Sequence, residues 1–227
     1  MQTPGYIPDA TEVAFIDSVA PAPHPVLVEM EAEAERDGIP ILDRASGRIL
    51  AVLAAGRVRI VEVGTAIGYS TLCMALAQPP AGTIVTLDPD VSRTDRARAF
   101  WRRAGVPDDR IAVVNAPALV AFERADPELE GPFDLAFLDA IKAEYAAYVD
   151  VLVPRLCAGA LVVADNVLYH GLVAGRRDVD QEGPGAHASA DAMRAFDAAV
   201  LSDPRFAAAI LPVGDGLLVA TYIGGDR

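Results

Sequence analysis

Residues 59–70 join a strand-like run to a helix-like run through a turn with two glycines. The first five residues, Arg-Ile-Val-Glu-Val, are mostly apolar and β-branched, as expected of a buried strand. Gly64 and Gly68 follow, and helical spacing begins at position 69. A strand, a tight turn and a helix in this order are typical of parallel α/β sheets, which bind ligands at the carboxyl ends of their strands. The turn therefore predicts a cofactor site.

The spacing of the glycines excludes the common nucleotide signatures. Three residues separate Gly64 from Gly68, so neither G-x-G-x-x-G nor the P-loop pattern is present. Glu62 lies just before the first glycine. Its carboxylate would repel a phosphate but would accept a hydrogen bond from an ammonium group, which favours S-adenosylmethionine over a pyrophosphate. For the glycine pair alone, an ordinary strand-to-helix turn remains the alternative.

Composition limits the class of protein. The 227 residues fit one α/β domain, which would bury roughly 70% of its unfolded surface. Although 52% of residues are hydrophobic, no apolar run approaches the length of about 20 residues that spans a membrane. A net charge of -13 argues against a nucleic-acid partner and favours small-molecule chemistry. The amino terminus lacks a signal-peptide pattern, and two cysteines without metal spacing are expected to be buried, which predicts a cytoplasmic protein.

Alternating strand and helix patterns predict a doubly wound, mostly parallel α/β sheet of the Rossmann-like type, seven-stranded and closed by a C-terminal antiparallel hairpin. The predicted strands are 59–63, 83–88, 110–114, 133–139, 160–165, 206–213 and 217–222, and the predicted helices are 11–20, 26–36, 46–55, 69–78, 92–105, 119–124, 143–152 and 190–201. We expect a single domain over residues 1–227, with the helical segment 1–45 covering an acceptor site or forming a dimer contact. Residues 173–188 are predicted to be a mobile loop near the active face or a plain surface loop.

Acidic side chains end three of these strands. Asp88 lies about twenty positions beyond the glycine turn, where a carboxylate binds the ribose hydroxyls of an adenosine cofactor. It fits equally well as the N-cap of the next helix. Asp139 ends the fourth strand, and Asp165 with Asn166 ends the fifth. Neighbouring parallel strands bring their last residues to one edge, and two carboxylates with an amide oxygen suit a hard cation such as Mg²⁺.

Lys142 lies three residues after Asp139, so both side chains can face one cleft. An amine there can take a proton from an attacking hydroxyl. The alternative is a salt bridge of Lys142 to Asp139 or Glu144, worth about 1 kcal/mol if exposed.

At these residues the chain resembles the cation-dependent O-methyltransferases of the caffeoyl-CoA and catechol type, in their bacterial branch. The matching segments are 61–71, 133–142, 165–171 and 212–217, in the family's order. The resemblance implies a class I methyltransferase domain, a homodimer, and contacts to S-adenosylmethionine from Glu62, Gly64, Thr65, Tyr69, Ser70, Asp88, Ala118 and Asp139. It also implies cation ligation by Asp139, Asp165 and Asn166, catalysis by Lys142 with Asp139, and acceptor contacts from Lys142, Asn166, Tyr169 and His170.

Three positions depart from the family pattern. Ile141 replaces an aspartate, Ala116-Pro117 replaces Gly-Asp before Ala118, and Asp197 stands where asparagine is common. The second change affects the expected adenine contacts, whereas the first is expected to alter the surface rather than the cation ligands.

Together these observations predict transfer of a methyl group from S-adenosylmethionine to one hydroxyl of a catechol-like phenol or other vicinal diol, with Mg²⁺, Mn²⁺ or Ca²⁺ bound. Two alternatives remain open at this point. One is a metal-independent methyltransferase acting on a polyketide-type alcohol, and the other is a non-catalytic protein that binds an adenosyl ligand.

Overall fold

The computed structural model describes residues 9–176 and 185–224. Within them a seven-stranded sheet has the order β3-β2-β1-β4-β5-β7-β6. The strands are β1 (Arg59–Val63), β2 (Thr83–Leu87), β3 (Ile111–Val114), β4 (Phe133–Leu138), β5 (Leu156–Ala164), β6 (Phe206–Leu211) and β7 (Leu217–Tyr222). The first five pair in parallel, whereas β7 is antiparallel to both β5 and β6. The predicted fold class is therefore confirmed.

Helices cover both faces of the sheet. They are α2 (Pro25–Asp37), α3 (Arg44–Ala54), α4 (Tyr69–Ala77), α5 (Val91–Arg103), α6 (Ala118–Glu123), α7 (Tyr145–Leu152) and α8 (Ala186–Ser202), whereas α1 (Ala10–Val19) contributes no buried residue. Buried residues of α2, α3, α4 and α5 form one core, and those of α6, α7 and α8 form the other. Side chains of β1 alternate between the two, with Ile60 in the first and Val61 in the second, as the pleat of a strand requires.

The strand order reverses at β1, because the chain builds outward through β2 and β3 and then returns to place β4 on the other side. Such a reversal leaves a crevice at the carboxyl ends of the strands. Gly64 follows β1 in this crevice with φ 107°, and a Cβ there would lie 1.9 Å from the carbonyl oxygen of Asp139. Glycine is therefore required for the close approach of the two chain segments.

Several boundaries differ from the sequence-based expectation. The segment predicted as the start of a helix at 143 is a 3₁₀ turn, Lys142–Glu144, and the α-helix begins at Tyr145. β5 begins at Leu156, before a register shift in its pairing with β4. α8 begins within the predicted loop 173–188, of which residues 177–184 lie outside the described part of the chain.

Two further expectations concern burial and membranes. Cys73 is buried as predicted, whereas Cys157 is only partly buried, and neither cysteine forms a disulfide. In the described part of the chain, none of the helices combines the length and apolar character needed to cross a membrane.

Candidate active site

A cavity of about 610 Å³ lies at the carboxyl ends of the parallel strands. It contains residues from both sides of the reversal at β1. The predicted site residues that line it are Gly64, Thr65, Tyr69, Ser70, Asp88, Ala118, Asp139, Lys142, Asp165, Asn166, Tyr169 and His170. The structure thus brings together all the predicted residues except Glu62, which lies directly behind the cavity wall.

Glu62 is fully buried and accepts hydrogen bonds from hydroxyl groups. Ser70 Oγ lies 2.6 Å from Glu62 Oε1, and Thr86 Oγ1 lies 2.5 Å from Glu62 Oε2, which also accepts from Thr71. Burial raises the pKa of Glu62 to about 7, although these hydroxyl donors oppose the shift. Glu62 therefore orients Ser70, the member of this group that lines the cavity.

Sequence reasoning did not identify Thr86, although the register of the sheet places it directly beside Glu62. Thr86 Oγ1 also lies 2.6 Å from Thr65 Oγ1. One threonine on β2 therefore connects the buried carboxylate to the turn after β1. Thr86 is a polar residue within the otherwise apolar end of β2, and this feature of the sequence could have indicated its role.

Asp88 stabilises the glycine turn after β1 from the end of the neighbouring strand β2. Its carboxylate accepts hydrogen bonds of 2.9 Å from the backbone N–H groups of Ala66 and Asp90. Ala66 has φ 45°, in the left-handed region, so the contact with Asp88 helps to hold a strained residue. The alternative role of Asp88 as a helix N-cap is wrong, because Asp90 caps α5 through the N–H groups of Ser92 and Arg93.

The predicted cation ligands meet Lys142 at the ends of β4 and β5. Lys142 Nζ donates to Asp139 Oδ1 at 2.8 Å and to Asn166 Oδ1 at 2.5 Å. Its salt bridge is thus with Asp139, whereas Glu144 accepts from the Tyr148 hydroxyl. The lysine side chain is only 14% exposed, so its contact with Asp139 is better shielded from water than a surface ion pair.

Asp165 is the most deeply buried of these acids. Its backbone N–H donates to Leu138 O at 3.0 Å, which sets Asp165 beside Asp139. The buried Oδ1 of Asp165 has no hydrogen-bond partner within the described structure. Burial first, and the neighbouring Asp139 second, raise the pKa of Asp165 to about 7.

Tyr145 is a member of this cluster that sequence reasoning missed. Lys142 Nζ donates to its hydroxyl at 2.8 Å, and that hydroxyl lies 3.2 Å from the acceptor Leu138 O. Burial holds the pKa of Tyr145 well above its ordinary value. The Tyr145 hydroxyl therefore keeps its proton and holds Lys142 in place by accepting a hydrogen bond from Nζ.

The side of the cavity predicted to bind the acceptor is formed by Tyr169 and His170, in a 3₁₀ turn after β5. Their φ angles are 43° and 53°, unusual for residues other than glycine. The two rings lie 5.7 Å apart, and the His170 side chain is 53% exposed.

Residues of the N-terminal segment line part of the cavity. Pro40, Ile41 and Leu42 line the cavity next to Tyr69. The Tyr69 hydroxyl donates to Glu31 Oε1 at 2.6 Å, which ties α4 to α2. Neither Glu31 nor this linkage was identified from the sequence, since the two residues are far apart in the chain.

The donor set at Asp139, Asp165 and Asn166 contains two carboxylates and one amide. Accordingly, the described residues include no group of three or more His, Cys, Asp or Glu side chains arranged to hold a metal ion. All three donors are oxygens, and the unpartnered Asp165 Oδ1 has unused acceptor capacity. These residues therefore fit a hard divalent cation.

Comparison with known proteins gives the class to which this site belongs. A family profile described as O-methyltransferase matches residues 23–223. The catechol O-methyltransferase of Mycobacterium tuberculosis is 35% identical over 170 residues, which cover 73% of this chain and 75% of that protein. A probable caffeoyl-CoA O-methyltransferase of Dictyostelium discoideum is 32% identical over 168 residues, covering 73% of this chain and 69% of that protein.

Solved structures agree with this result. An O-methyltransferase of Streptomyces achromogenes involved in tomaymycin synthesis, solved in complex with S-adenosylmethionine, has a TM-score of 0.78 to this chain at 26% identity. The match covers 95% of this chain and 97% of that one.

The chain therefore belongs to the O-methyltransferase family. It is an S-adenosylmethionine-dependent O-methyltransferase of the caffeoyl-CoA and catechol type, so the predicted family and enzyme class are confirmed.

Proposed function

We propose that this enzyme transfers the methyl group of S-adenosylmethionine to one hydroxyl of a catechol-like phenol or other vicinal diol, with Mg²⁺ or a similar divalent cation such as Mn²⁺ or Ca²⁺ bound beside the acceptor. The observation that carries this proposal is the convergence of Asp139, Asp165 and Asn166 on the cavity that contains the glycine turn. Two adjacent oxygens on an acceptor match such a ligand set, because a cation held by three protein oxygens keeps positions for further oxygen ligands.

The residues of the glycine-turn side are proposed to bind the cofactor. Ser70 binds its amino-acid end and is oriented by the buried Glu62 behind it. Gly64, Thr65 and Tyr69 form the turn and wall against the cofactor, and Asp88 accepts hydrogen bonds from its ribose hydroxyls. Ala118, at the start of α6, lies where the adenine is expected. Support comes from the position of these residues on one side of the cavity and from the hydrogen bonds that fix Ser70 and the turn.

On the other side, Asp139, Asp165 and Asn166 would hold the cation. When bound, the cation lowers the pKa of the acceptor hydroxyl and fixes two neighbouring acceptor oxygens. Lys142 takes up the proton released from that hydroxyl if it is present as the neutral amine, and as the ammonium it stabilises the oxygen that the proton leaves. Tyr145 and Asp139 hold the lysine in place. Tyr169 and His170, at the mouth of the cavity, contact the acceptor ring.

Asp139 has two roles in this proposal. It ligates the cation and holds Lys142 through a 2.8 Å contact between Lys142 Nζ and Oδ1. The backbone of Asp139 lies close to Gly64 of the glycine turn, which supports the proposed contact of Asp139 with the cofactor. A small hydroxylated acceptor is the proposed partner, with no role for nucleic acid or membranes.

A homodimer in the cytoplasm is part of the same proposal. Exposed apolar side chains of α1, including Val13, Phe15 and Val19, offer surface for contact with a second copy. The two unpaired cysteines are typical of a reducing compartment.

One observation favours a second candidate, a metal-independent methyltransferase acting on a polyketide-type alcohol. Lys142 Nζ contacts Asp139 Oδ1 and Asn166 Oδ1 directly, so its ammonium neutralises part of the acidic cluster without a cation. In this case the lysine alone would stabilise the acceptor oxygen.

A single experiment separates the two. The protein is incubated with S-adenosylmethionine and a panel of catechols and aliphatic diols, with and without EDTA, and products are identified by mass spectrometry. We expect a methylated catechol that disappears with EDTA and returns with added Mg²⁺. Methylation that persists in EDTA supports the metal-independent candidate. Binding of S-adenosylmethionine by calorimetry serves as the control, since chelation should leave it unchanged.

A further inference from the structure

The hairpin turn between β6 and β7 packs against the segment that follows β5. The N–H of Leu168 donates to Asp215 O at 2.9 Å, and that of Val167 donates to Gly216 O at 3.1 Å. A Cβ on Gly216 would lie 2.9 Å from Leu168 N, so only glycine permits this approach. The turn therefore places Asp215 at a fixed position beside the candidate cation ligand Asn166.

The carboxylate of Asp215 faces three donor atoms on that segment, one of which is His170 Nε2, 3.7 Å from Oδ2. Its Oδ1 accepts from the backbone N–H of His170 at 2.5 Å. Its Oδ2 lies 3.5 Å from Asn166 Nδ2, a long contact but one in which the donor of the amide faces the acid. The Asp215 side chain is 15% exposed, which limits competition from water.

These contacts determine which end of the Asn166 amide faces the cavity. A carboxylate only accepts hydrogen bonds and an ammonium only donates them. Asn166 presents Nδ2 to Asp215 and Oδ1 to Lys142 Nζ. A rotated amide would set oxygen against oxygen on one side and NH₂ against NH₃⁺ on the other. Only the observed orientation directs the amide oxygen, which can ligate a cation, towards Lys142 Nζ, the atom that also contacts Asp139.

The same acid stabilises an unusual backbone. Asn166, Tyr169 and His170 have φ angles of 59°, 43° and 53°. For residues other than glycine, the left-handed backbone conformation costs about 1–2 kcal/mol of conformational free energy. The segment therefore needs contacts that stabilise this conformation. The hydrogen bond from His170 N–H to Asp215 is one of these contacts.

We propose that Asp215 is a positioning residue that orients the Asn166 amide for cation ligation and fixes the Tyr169–Gly171 turn on the acceptor side. It acts through Asn166 and His170. The part that concerns the cation rests on the function proposed above, whereas the orientation of the amide can be tested without any cation.

The informative variant is Asp215→Asn. The new amide oxygen can still accept from His170 N–H, but its NH₂ group then faces Asn166 Nδ2 and favours rotation of the Asn166 amide. Asp203→Asn is a matched control, because Asp203 is a similarly shielded acid, 19% exposed, that pairs with Arg205 just before β6. Thermal unfolding of all proteins verifies folding.

Two measurements decide the proposal. The first is the affinity for Mn²⁺ alone by calorimetry, which we expect to fall 10- to 100-fold, roughly, in Asp215→Asn and to stay at the wild-type value in Asp203→Asn. The second is the side-chain amide signal of Asn166 in ¹⁵N-resolved NMR spectra without metal, assigned through Asn166→Ala. This signal should shift in Asp215→Asn and remain in place in the control.

The outcomes separate this inference from the proposed function. Wild-type Mn²⁺ affinity in Asp215→Asn, or an unchanged Asn166 signal, overturns the role of Asp215. If the wild-type enzyme itself binds no Mn²⁺, the cation part of the proposed function fails. The NMR signal then still decides whether Asp215 orients Asn166.

Discussion

Asp165 lies directly beside Asp139, because its backbone N–H donates to the carbonyl of the residue that precedes Asp139. The two carboxylates come from adjacent parallel strands, and the raised pKa of Asp165, about 7, follows from burial and from this neighbour. Two buried carboxylates this close destabilise the folded state unless a nearby positive charge or a bound proton offsets their repulsion. Lys142 supplies one positive charge through Asp139.

The first prediction concerns Asp165. Asp165 keeps its proton up to about pH 7 when folded but loses it near 3.8 when unfolded, so wild-type stability falls as the pH rises between these values. In EDTA at pH 8, we expect Asp165→Asn to have a free energy of unfolding about 1–3 kcal/mol above wild type, with a smaller difference towards pH 4. Urea denaturation at several pH values measures this difference.

The same variant tests the cation. Mg²⁺ should raise the thermal midpoint of the wild-type protein but not that of Asp165→Asn. An equal rise in both proteins would mean that the ion binds elsewhere.

The second prediction concerns Lys142. Removing the amine in Lys142→Met should lower kcat by about 100-fold or more, as expected for loss of a group that moves or holds a proton in the reaction. Affinity for S-adenosylmethionine should remain within about twofold, because Lys142 contacts the ligand set rather than the turn. Steady-state kinetics and calorimetry measure the two effects, and a variant with unchanged kcat would remove Lys142 from the mechanism.

The third prediction concerns Gly64. Its φ of 107° and the 1.9 Å approach of a Cβ to Asp139 O mean that Gly64→Ala must displace β1 from the residues after β4. We expect a loss of at least about 3 kcal/mol in the free energy of unfolding. Gly56→Ala is the control, because a Cβ there meets nothing within 4 Å. Urea denaturation compares the two, and similar stability for both variants would contradict this account.

The fourth prediction concerns Asp197 on α8. Both of its carboxylate oxygens are buried without a hydrogen-bond partner in the described structure, and burial raises its pKa to about 7. Above pH 7 the folded state therefore bears the full cost of the charge. Asp197→Asn should raise the free energy of unfolding by about 1–3 kcal/mol at pH 8, and the gain should vanish below the unfolded pKa of 3.8.

A control on the same helix isolates burial as the cause. Asp191 is 73% exposed and pairs with Arg194, so Asp191→Asn should not raise the free energy of unfolding at pH 8. A flat difference between Asp197→Asn and wild type across pH would show that Asp197 does not titrate as described.

Much of the fold was predictable because its signals are local. Runs of β-branched residues located the strands. The change from apolar to acidic residues at the ends of three strands identified Asp88, Asp139 and Asp165. Parallel pairing brings the ends of neighbouring strands to one edge of the sheet. The sequence therefore predicted that residues far apart in the chain lie in one site, without knowledge of any side-chain contact.

The missed residues depend on contacts between distant segments. Tyr145 resembles any aromatic residue on a buried helix face, and its contact with Lys142 depends on a 3₁₀ turn that the sequence pattern did not predict. Asp215 sits in a Gly-Asp-Gly turn, where an aspartate needs no further explanation. Glu31 reaches Tyr69 only because α2 packs against α4.

The reversal of strand order at β1 divides the cavity between two separate stretches of the chain. Residues 63–118 build one wall and residues 139–170 build the opposite wall, and residues 40–42 add to the lining. In the function proposed above, the earlier stretch binds the methyl donor and the later stretch binds the acceptor, with Asp139 serving both. On this proposal, exchanging residues of the later stretch other than Asp139 should change the choice of acceptor and leave binding of the methyl donor intact.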